Sequence, residues 1–461
     1  MPPVQESAHA QRPQDMKDRK VILRRCDTYA VPTLCRIVEE GIEDLGEKPA
    51  GRILVKPNVV CATPVIRTAY THPAVVEAVV LAVRARARPG STISIAESGG
   101  MAIPTRLFFR DAGYTRMAKR IRVPLRDFNE ERLVRVSLSR AKWHRTLLAA
   151  RSLYEADYKI WVPKLKFHNA CRLTHAIKLN MGILTHRERM LYHDDRLDEK
   201  IVDLLEAGYP NLVISDAVEI GYGSEFAPYP YPLGAVLLAN DPLAADVVAA
   251  RILGFSPQEA AHLVEASGRG YGSLDLQDIQ ISGDVPLEEL SSLAAKIDSP
   301  YGVSWEPEKL ETRARFYVGV NPETGRPCRT GCLNALVGAL ATSELYHPGL
   351  VRSLPPMGIV VGRYRGDVLH PGEKVALIGS CSAVEGRLEA GKVVRQRGCP
   401  AKGMDQAVWL FPRLGIPTPA WSPANVAKMS AYSVLKGLRI LFKSFSGPVG
   451  RAGGWHEREN P

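Results

Sequence analysis

The sequence has no run of apolar residues long enough to cross a bilayer. The longest candidate, Ala74–Val83, is interrupted by Glu77, and a spanning helix needs about 20 such residues. The first 18 residues, polar and rich in Pro and Gln, contain no apolar stretch of the kind a secretory leader uses. They are predicted to be a disordered leader, within 1–19, of a cytoplasmic protein. The signatures of the common nucleotide and hydrolase classes are also missing. There is no P-loop, no GxGxxG behind a strand and no GxSxG elbow. Paired zinc-finger spacing and an aromatic RNA-binding signature are missing too, so no specific nucleic-acid partner is expected. A ferredoxin-type run of closely spaced cysteines is lacking as well, and no internal repeat is apparent.

What is present is a globular composition: 461 residues, 45% apolar and 24% charged, enough for two or three domains with real cores. The net charge of +11 is unevenly spread. Between Arg106 and Arg151 there are 13 Lys/Arg against 4 Asp/Glu. This basic segment is either a solvated face or a surface for an acidic partner, such as a phosphorylated substrate, an acidic redox protein or RNA.

Short β-rich runs alternate with helical patterns. Strands are predicted at Val21–Arg25, Gly51–Val55, Ser91–Ala96, Tyr158–Val162, Asn211–Ser215 and Gly234–Ala239. Helices are predicted at Val31–Leu45, Ala74–Ala87, Leu107–Ala112, Glu199–Leu205 and Leu243–Leu253. This order implies an α/β fold with an open, largely parallel sheet and flanking helices. Polar clusters follow five of the strands: Lys56/Asn58, Glu97/Ser98/Gly99, Lys164/Lys166/His168, Asp216 and Asp241. Ligands of open α/β sheets bind at that edge, so the five are expected to converge on one pocket. Lys164 to Gly182 is dense in Lys, His and Asn, which suits an anionic ligand, with His168 or His175 available for proton transfer. His186 and His193 lie further on, but the spacing of the four histidines matches no simple metal motif. Cys171 is read as a packed thiol, and Gly221–Gly223 and Gly268–Gly272 as turns.

These residues carry a resemblance. Lys56-Pro57-Asn58, Thr71-His72-Pro73, Glu97-Ser98, Gly113-Tyr114, Ala156-Asp157, Pro163 to His168, Lys178 to Gly182, Asp216 and Asn240 to Asp246 resemble the ordered landmarks of the domain-of-unknown-function 362 family across roughly residues 20 to 285. The family often has Asp where Glu97 stands and a second Asn where Leu179 stands. The resemblance implies the α/β fold and a site at the strand ends. Many members carry iron–sulfur inserts, so it also implies redox work.

After about residue 300 the texture changes. The stretch from Ser299 to Arg326 shows no strand–helix alternation. A smaller C-terminal α/β cysteine-bearing domain is predicted over 300–422, following the main domain at 20–299. A basic amphipathic helix, Ala424–Phe445, and a disordered tail complete the chain at 423–461; membrane contact by that helix is not expected. Cys328 and Cys332 precede a helix, Leu333–Leu345. Cys381 ends the strand Val375–Ile378, and Cys399 precedes a helix at Gly403–Leu410. Each sits at a turn or beside Gly, where loops let sulfurs converge. The order is similar to that of the quinone-proximal iron–sulfur subunit of respiratory complex I, although there the close pair is adjacent. Three readings stay open: an iron–sulfur cluster of the 4Fe-4S type, structural zinc, or free thiols.

The expectation is an iron–sulfur redox protein, an oxidoreductase acting on an anionic small molecule. Lys56, Asn58, Glu97, Ser98, Lys164, Lys178, Asn180 and Asp216 would bind the substrate. His168 and Lys166 would be catalytic, and Cys328, Cys332, Cys381 and Cys399 would hold the metal. The alternatives are a non-catalytic electron-transfer or scaffold subunit, and a non-redox lyase or isomerase with a structural metal.

Overall fold

The computed structural model describes residues 19–445 apart from 101, 102, 300, 301, 420 and 421. The predicted leader through residue 18 and the predicted disordered tail from 447 onward lie outside the described residues.

The strands of the main sheet are β1 (Lys20–Arg25), β2 (Arg52–Pro57), β3 (Thr92–Glu97) and β4 (Leu125–Asp127). A separate hairpin pairs β5 (Leu133–Ser137) with β6 (Thr146–Ala150). The main sheet continues with β7 (Tyr158–Val162), β8 (Lys164–His168), β9 (Arg172–Thr174), β10 (Leu212–Tyr222), β11 (Tyr229–Ala239) and β12 (Gln280–Gly283). Their order is β12-β1-β11-β10-β7-β2-β3-β4, with β8 branching from β10 and β9 from β8. Pairings are parallel except β1 with β11, β10 with β11, and β8 with β9. The sheet is therefore open and largely parallel, as the alternation of elements implied.

Central strands are buried on both sides, as a sheet covered by helices on each face requires. In β2, Ile53 and Val55 enter one apolar core and Leu54 the other. In β7, Ile160 and Val162 face the first core and Trp161 the second. That alternation is the two-residue period of an extended chain. Helices Val31–Asp44 and Pro73–Arg86 cover the first face; Leu197–Leu205, Pro242–Ile252 and Ala261–Gly268 cover the second. The helix starts follow from local chemistry. His72 and Asp241 accept backbone N–H groups from Ala74 and Ala244, and a proline follows each of them.

Three sequence expectations are corrected. The run from Lys164 to His168, expected as a polar cluster following a strand, is itself a buried strand. Its alternating long side chains pair with β9 across a hairpin whose turn lacks a Gly-rich signal. The stretch from Ser299 to Arg326 contains a strand, β13 (Ala314–Val318), paired in parallel with β14 (Met357–Arg365). The C-terminal part does contain a repeat. β14, β15 (Val368–Glu385) and β16 (Leu388–Gln396) lie parallel without intervening helices. Val368 pairs with Leu388 and Tyr364 with Val384, each 20 residues on; Val375 pairs with Val393 and Ile378 with Gln396, 18 on. The chain thus coils back on itself as in a solenoid. The repeat is hidden because rungs share strand pattern rather than residue identity. Cys381 and Cys399 follow equivalent rungs of this stack.

The C-terminal part shares one continuous apolar core with the first face of the main sheet. The final helix, Pro423–Phe445, lies against the main domain through polar groups: Tyr432 stacks with Arg110, Lys436 meets His186, and Arg439 meets Glu130. Val434, Leu435, Leu438 and Leu441 face outward. Among the described residues, no helix is long and apolar enough to cross a membrane.

Candidate functional site

A cavity of about 420 Å³ separates the strand ends of the main sheet from the cysteine-bearing part. Its floor begins with a buried ion pair. Lys56 Nζ lies 2.6 Å from Glu97 Oε2 and donates to the Leu179 carbonyl at 2.9 Å. Burial pushes the lysine down and the carboxyl up, and each is pulled back by the other. Gly182 presses against this pair; a Cβ there would overlap both charged groups. Arg189 donates to the carbonyls of Ser98 and Gly99 at 2.6 Å each, pinning the end of β3 to the segment after Gly182. Burial lowers its pKa to about 10.

Lys166, 1% exposed, reaches the cavity wall from β8. Its ammonium donates to the carbonyls of Ala69 (2.9 Å) and Glu225 (2.7 Å). One of its three donor positions is left without a partner among the described residues. Burial depresses its pKa to about 7. His168, from the same strand, is held by its own turn. Its Nδ1 accepts the N–H groups of Ala170 and Cys171 at 3.0 and 3.2 Å, which leaves the proton on Nε2, 3.6 Å from Glu225 Oε1. Burial and the charges of Lys178 and Lys166 hold the imidazole well below its usual pKa. Lys178 lines the cavity and makes no ion pair among the described residues. It also depresses the pKa of His193, as burial and Lys200 do more strongly. The lining therefore holds Lys178, Lys402 and Lys428, which make no ion pair among the described residues, and a further group, Lys166, that gains or loses its charge near neutrality.

The predicted residues divide by position. Asn58, Glu97, Ser98, Lys166, His168 and Lys178 line the cavity. Lys56 stands behind Glu97. Lys164 and Asp216 do not line it. Asp216 accepts from Lys164, Tyr29 and the His72 backbone at 2.8–3.0 Å, a closed knot behind the wall. Asn180 is spent on the Trp161 indole at 3.0 Å. Asp241 caps its helix and binds Arg19 and Tyr209. The five strand-end clusters thus do not all reach one pocket. Glu225, Arg189 and Asn334 escaped the sequence reading. Asn334 donates to Glu225 Oε1 at 2.9 Å, tying the cysteine-bearing helix to the His168 wall, and no local pattern announces a contact spanning 109 residues.

His175 sits between Asp246 (2.7 Å) and Ser215 (2.6 Å), the layout of a hydrolytic triad. All three side chains are fully buried and off the cavity, and Asp246 also accepts the Ala176 and Ile177 amides. This is a polar core clamp and gives no access to a substrate.

The four C-terminal cysteines come together. Cys332 stands in a π-helical turn, Arg329–Leu333, a feature common at functional sites, which runs into the helix Asn334–Tyr346. Cys332 perturbs Cys328, and Cys381 and Cys399 perturb each other. Cys328 also senses the charge of Cys399, and Cys381 that of Cys328. The Cys399 partner lowers the pKa of Cys381 and is itself raised; the Cys332 partner and burial raise Cys328. The Ala401 amide donates to Cys332 Sγ at 3.2 Å. Room is kept by Gly379 at φ +105°, where a Cβ would approach Cys332 Sγ to 3.0 Å. The set is a group of four free thiols. It borders the cavity: Gly331 and Asn334, flanking Cys332 and Leu333, are cavity-lining. No three of these sulfurs lie mutually within 4.8 Å. Among the described residues the one trio of possible ligands that does is Cys171, Asp198 and His262.

Residues 53–251 match the model of the family described as "Domain of unknown function (DUF362)", the family whose landmarks were read above. A curated relative, a thylakoid-associated protein of Synechocystis sp. (strain ATCC 27184 / PCC 6803 / Kazusa), is 26% identical over 254 residues, 52% of this chain and 76% of that protein. Two solved structures were matched at a TM-score of 0.35. One is the lactate racemase apoprotein of Thermoanaerobacterium thermosaccharolyticum (10% identity, 52% of this chain, 58% of that one). The other is a Thermotoga maritima protein (13% identity, 74% and 73%). The chain thus spans little more than half of the racemase.

Proposed function

We propose that this chain, built on a domain of that family, is an iron–sulfur redox protein that acts on an anionic small molecule in the cavity. The observation that carries the reading is the position of Cys332. The turn that supplies its sulfur also lines the cavity, so a centre held there borders the ligand directly. Cys328, Cys332, Cys381 and Cys399 would hold the cluster. Zinc with Zn–S bonds of about 2.3 Å would bring its sulfurs to about 3.8 Å apart, whereas no three of these four lie mutually within 4.8 Å, which supports a cluster over one ion. When bound, such a cluster supplies one-electron transfer.

The chain's own groups do the rest. Lys178, with Lys402 and Lys428 on the same lining, offers unpaired charge that attracts the anion. Lys166 holds or releases a proton at Nζ near neutral pH. His168 presents Nε2–H and no second proton, because Nδ1 is occupied by two amides; it orients the ligand. Glu225 keeps that proton directed and, through Asn334, couples the wall to the thiolate helix. Exposed Arg116, Lys119, Arg122 and Arg126 make no ion pairs among the described residues and supply a basic surface on which an acidic redox partner can dock.

Anaerobic purification tests the proposal. Brown protein with matched iron and sulfide is expected, and loss of both in Cys332→Ser and Cys381→Ser. Protein that stays colourless after anaerobic reconstitution, or that keeps its iron in both variants, rules the reading out.

A further inference from the structure

Behind His168, away from the four C-terminal cysteines, three potential ligands meet. Cys171 belongs to the turn between β8 and β9. Asp198 is the second residue of the helix Leu197–Leu205, and His262 the second of Ala261–Gly268. Their sulfur, carboxylate oxygen and imidazole nitrogen all lie within 4.8 Å of one another, with His262 Nδ1 3.5 Å from Asp198 Oδ1. His262 is fully buried, yet neither of its ring nitrogens has a hydrogen-bond partner, and Asp198 Oδ1 has none either. A buried polar atom left unpaired costs about 1–3 kcal/mol, and such orphans usually mark an ion or water. One orphaned imidazole nitrogen and one carboxylate oxygen facing the Cys171 thiol in one place ask for a common occupant.

We infer that Cys171, Asp198 and His262 bind a zinc ion. Thiolate, imidazole and carboxylate together form a donor set that zinc accepts, while the thiolate disfavours magnesium and calcium. Binding takes the proton from the Cys171 thiol and releases it to solvent; no electrons move. His168 is not a ligand through Nδ1, which accepts the Ala170 and Cys171 amides. The fourth position therefore falls to water. Zinc there would tie the β8–β9 turn to two helices and so fix the Cys171 N–H that sets the tautomer of His168. The inference does not depend on the redox reading, because the two sites share no residue.

The test uses the full-length chain carrying Cys332→Ser and Cys381→Ser, so that the C-terminal quartet cannot capture the titrant. After stripping with a chelator under anaerobic conditions, zinc is titrated against a chromophoric competitor, and cobalt is added separately. One tight zinc equivalent is expected, with a cobalt–thiolate charge-transfer band. Cys171→Ser should abolish the band. Asp198→Asn, at a partly exposed position where folding is not at risk, should weaken zinc by more than the ~10–100-fold typical of losing an outer-shell partner. Absence of tight zinc in the background protein, or binding that survives both substitutions, overturns the inference.

Discussion

Lys166 gives a prediction that stands apart from any cofactor. Its ammonium is buried between two carbonyls, and burial drops its pKa from 10.5 to about 7. In the unfolded chain the lysine keeps its ordinary value, so between pH 7 and 10.5 the unfolded state holds a proton that the folded state has lost. Stability contributed at this position must rise with pH across that window. Each pH unit of full difference is worth 1.36 kcal/mol, or about 5 kcal/mol over the whole window. Between pH 7 and 9.5, allowing for half-titration at the lower end, about 3 kcal/mol should appear. The comparison is wild type against Lys166→Met, each unfolded in guanidinium at a series of pH values. Lost hydrogen bonds to Ala69 and Glu225 add an offset that does not vary with pH. Other buried lysines titrate equally in both proteins and cancel. The wild-type advantage should therefore grow by about 3 kcal/mol from pH 7 to 9.5. A difference that stays flat means Lys166 keeps its charge when folded, and the assignment of a proton-carrying role fails with it.

The buried pair at the cavity floor should behave asymmetrically. Lys56→Met alone leaves Glu97 uncompensated and should cost about 3–5 kcal/mol, whereas Lys56→Met with Glu97→Leu should recover most of that loss in the same denaturation assay. Gly182→Ala, which drives a methyl into that pair, should cost at least the ~1–3 kcal/mol of ordinary overpacking. Ser215 should not react with fluorophosphonate probes despite its triad geometry, while Ser215→Ala should lower stability by about 1–3 kcal/mol by orphaning His175; labelling of Ser215 in native protein would show that the clamp opens. Lys178→Ala should leave the melting temperature within a few degrees of wild type and weaken binding of an anionic cavity ligand, read by calorimetry at two salt concentrations.

The fold was legible where a short apolar run coincided with a periodic partner. Tyr158–Val162 was placed to the residue, and Val31–Asp44 and Pro73–Arg86 to within one residue or so at each end. Strands with mixed polarity were not legible. Lys164 to His168 reads as a polar cluster behind a strand because its lysines look solvent-bound, yet their ammonium groups bond to Asp216, Tyr29 and distant carbonyls. The solenoid escaped for a different reason: its rungs share strand pattern rather than residue identity, so the repeat leaves no mark in the letters. At the site, sequence proximity to a strand end identified Asn58, Glu97, Lys166 and Lys178. It could not separate these from Lys164 and Asp216, which differ only in whom they meet from Tyr29 and His72. Glu225, Asn334 and His262 owe their roles to contacts across tens to hundreds of residues, and such contacts leave no mark on local composition.

The cavity draws its walls from Asn58 at one end and Met429 at the other. On a ribosome, the strand ends with their buried lysines emerge long before the turn bearing Cys332, and the helix that begins at Pro423 comes last. Until then the chamber has a floor and no roof. Whatever the chamber encloses is walled in only once the helix from Pro423 has emerged, so the order of closure is written into the order of the chain.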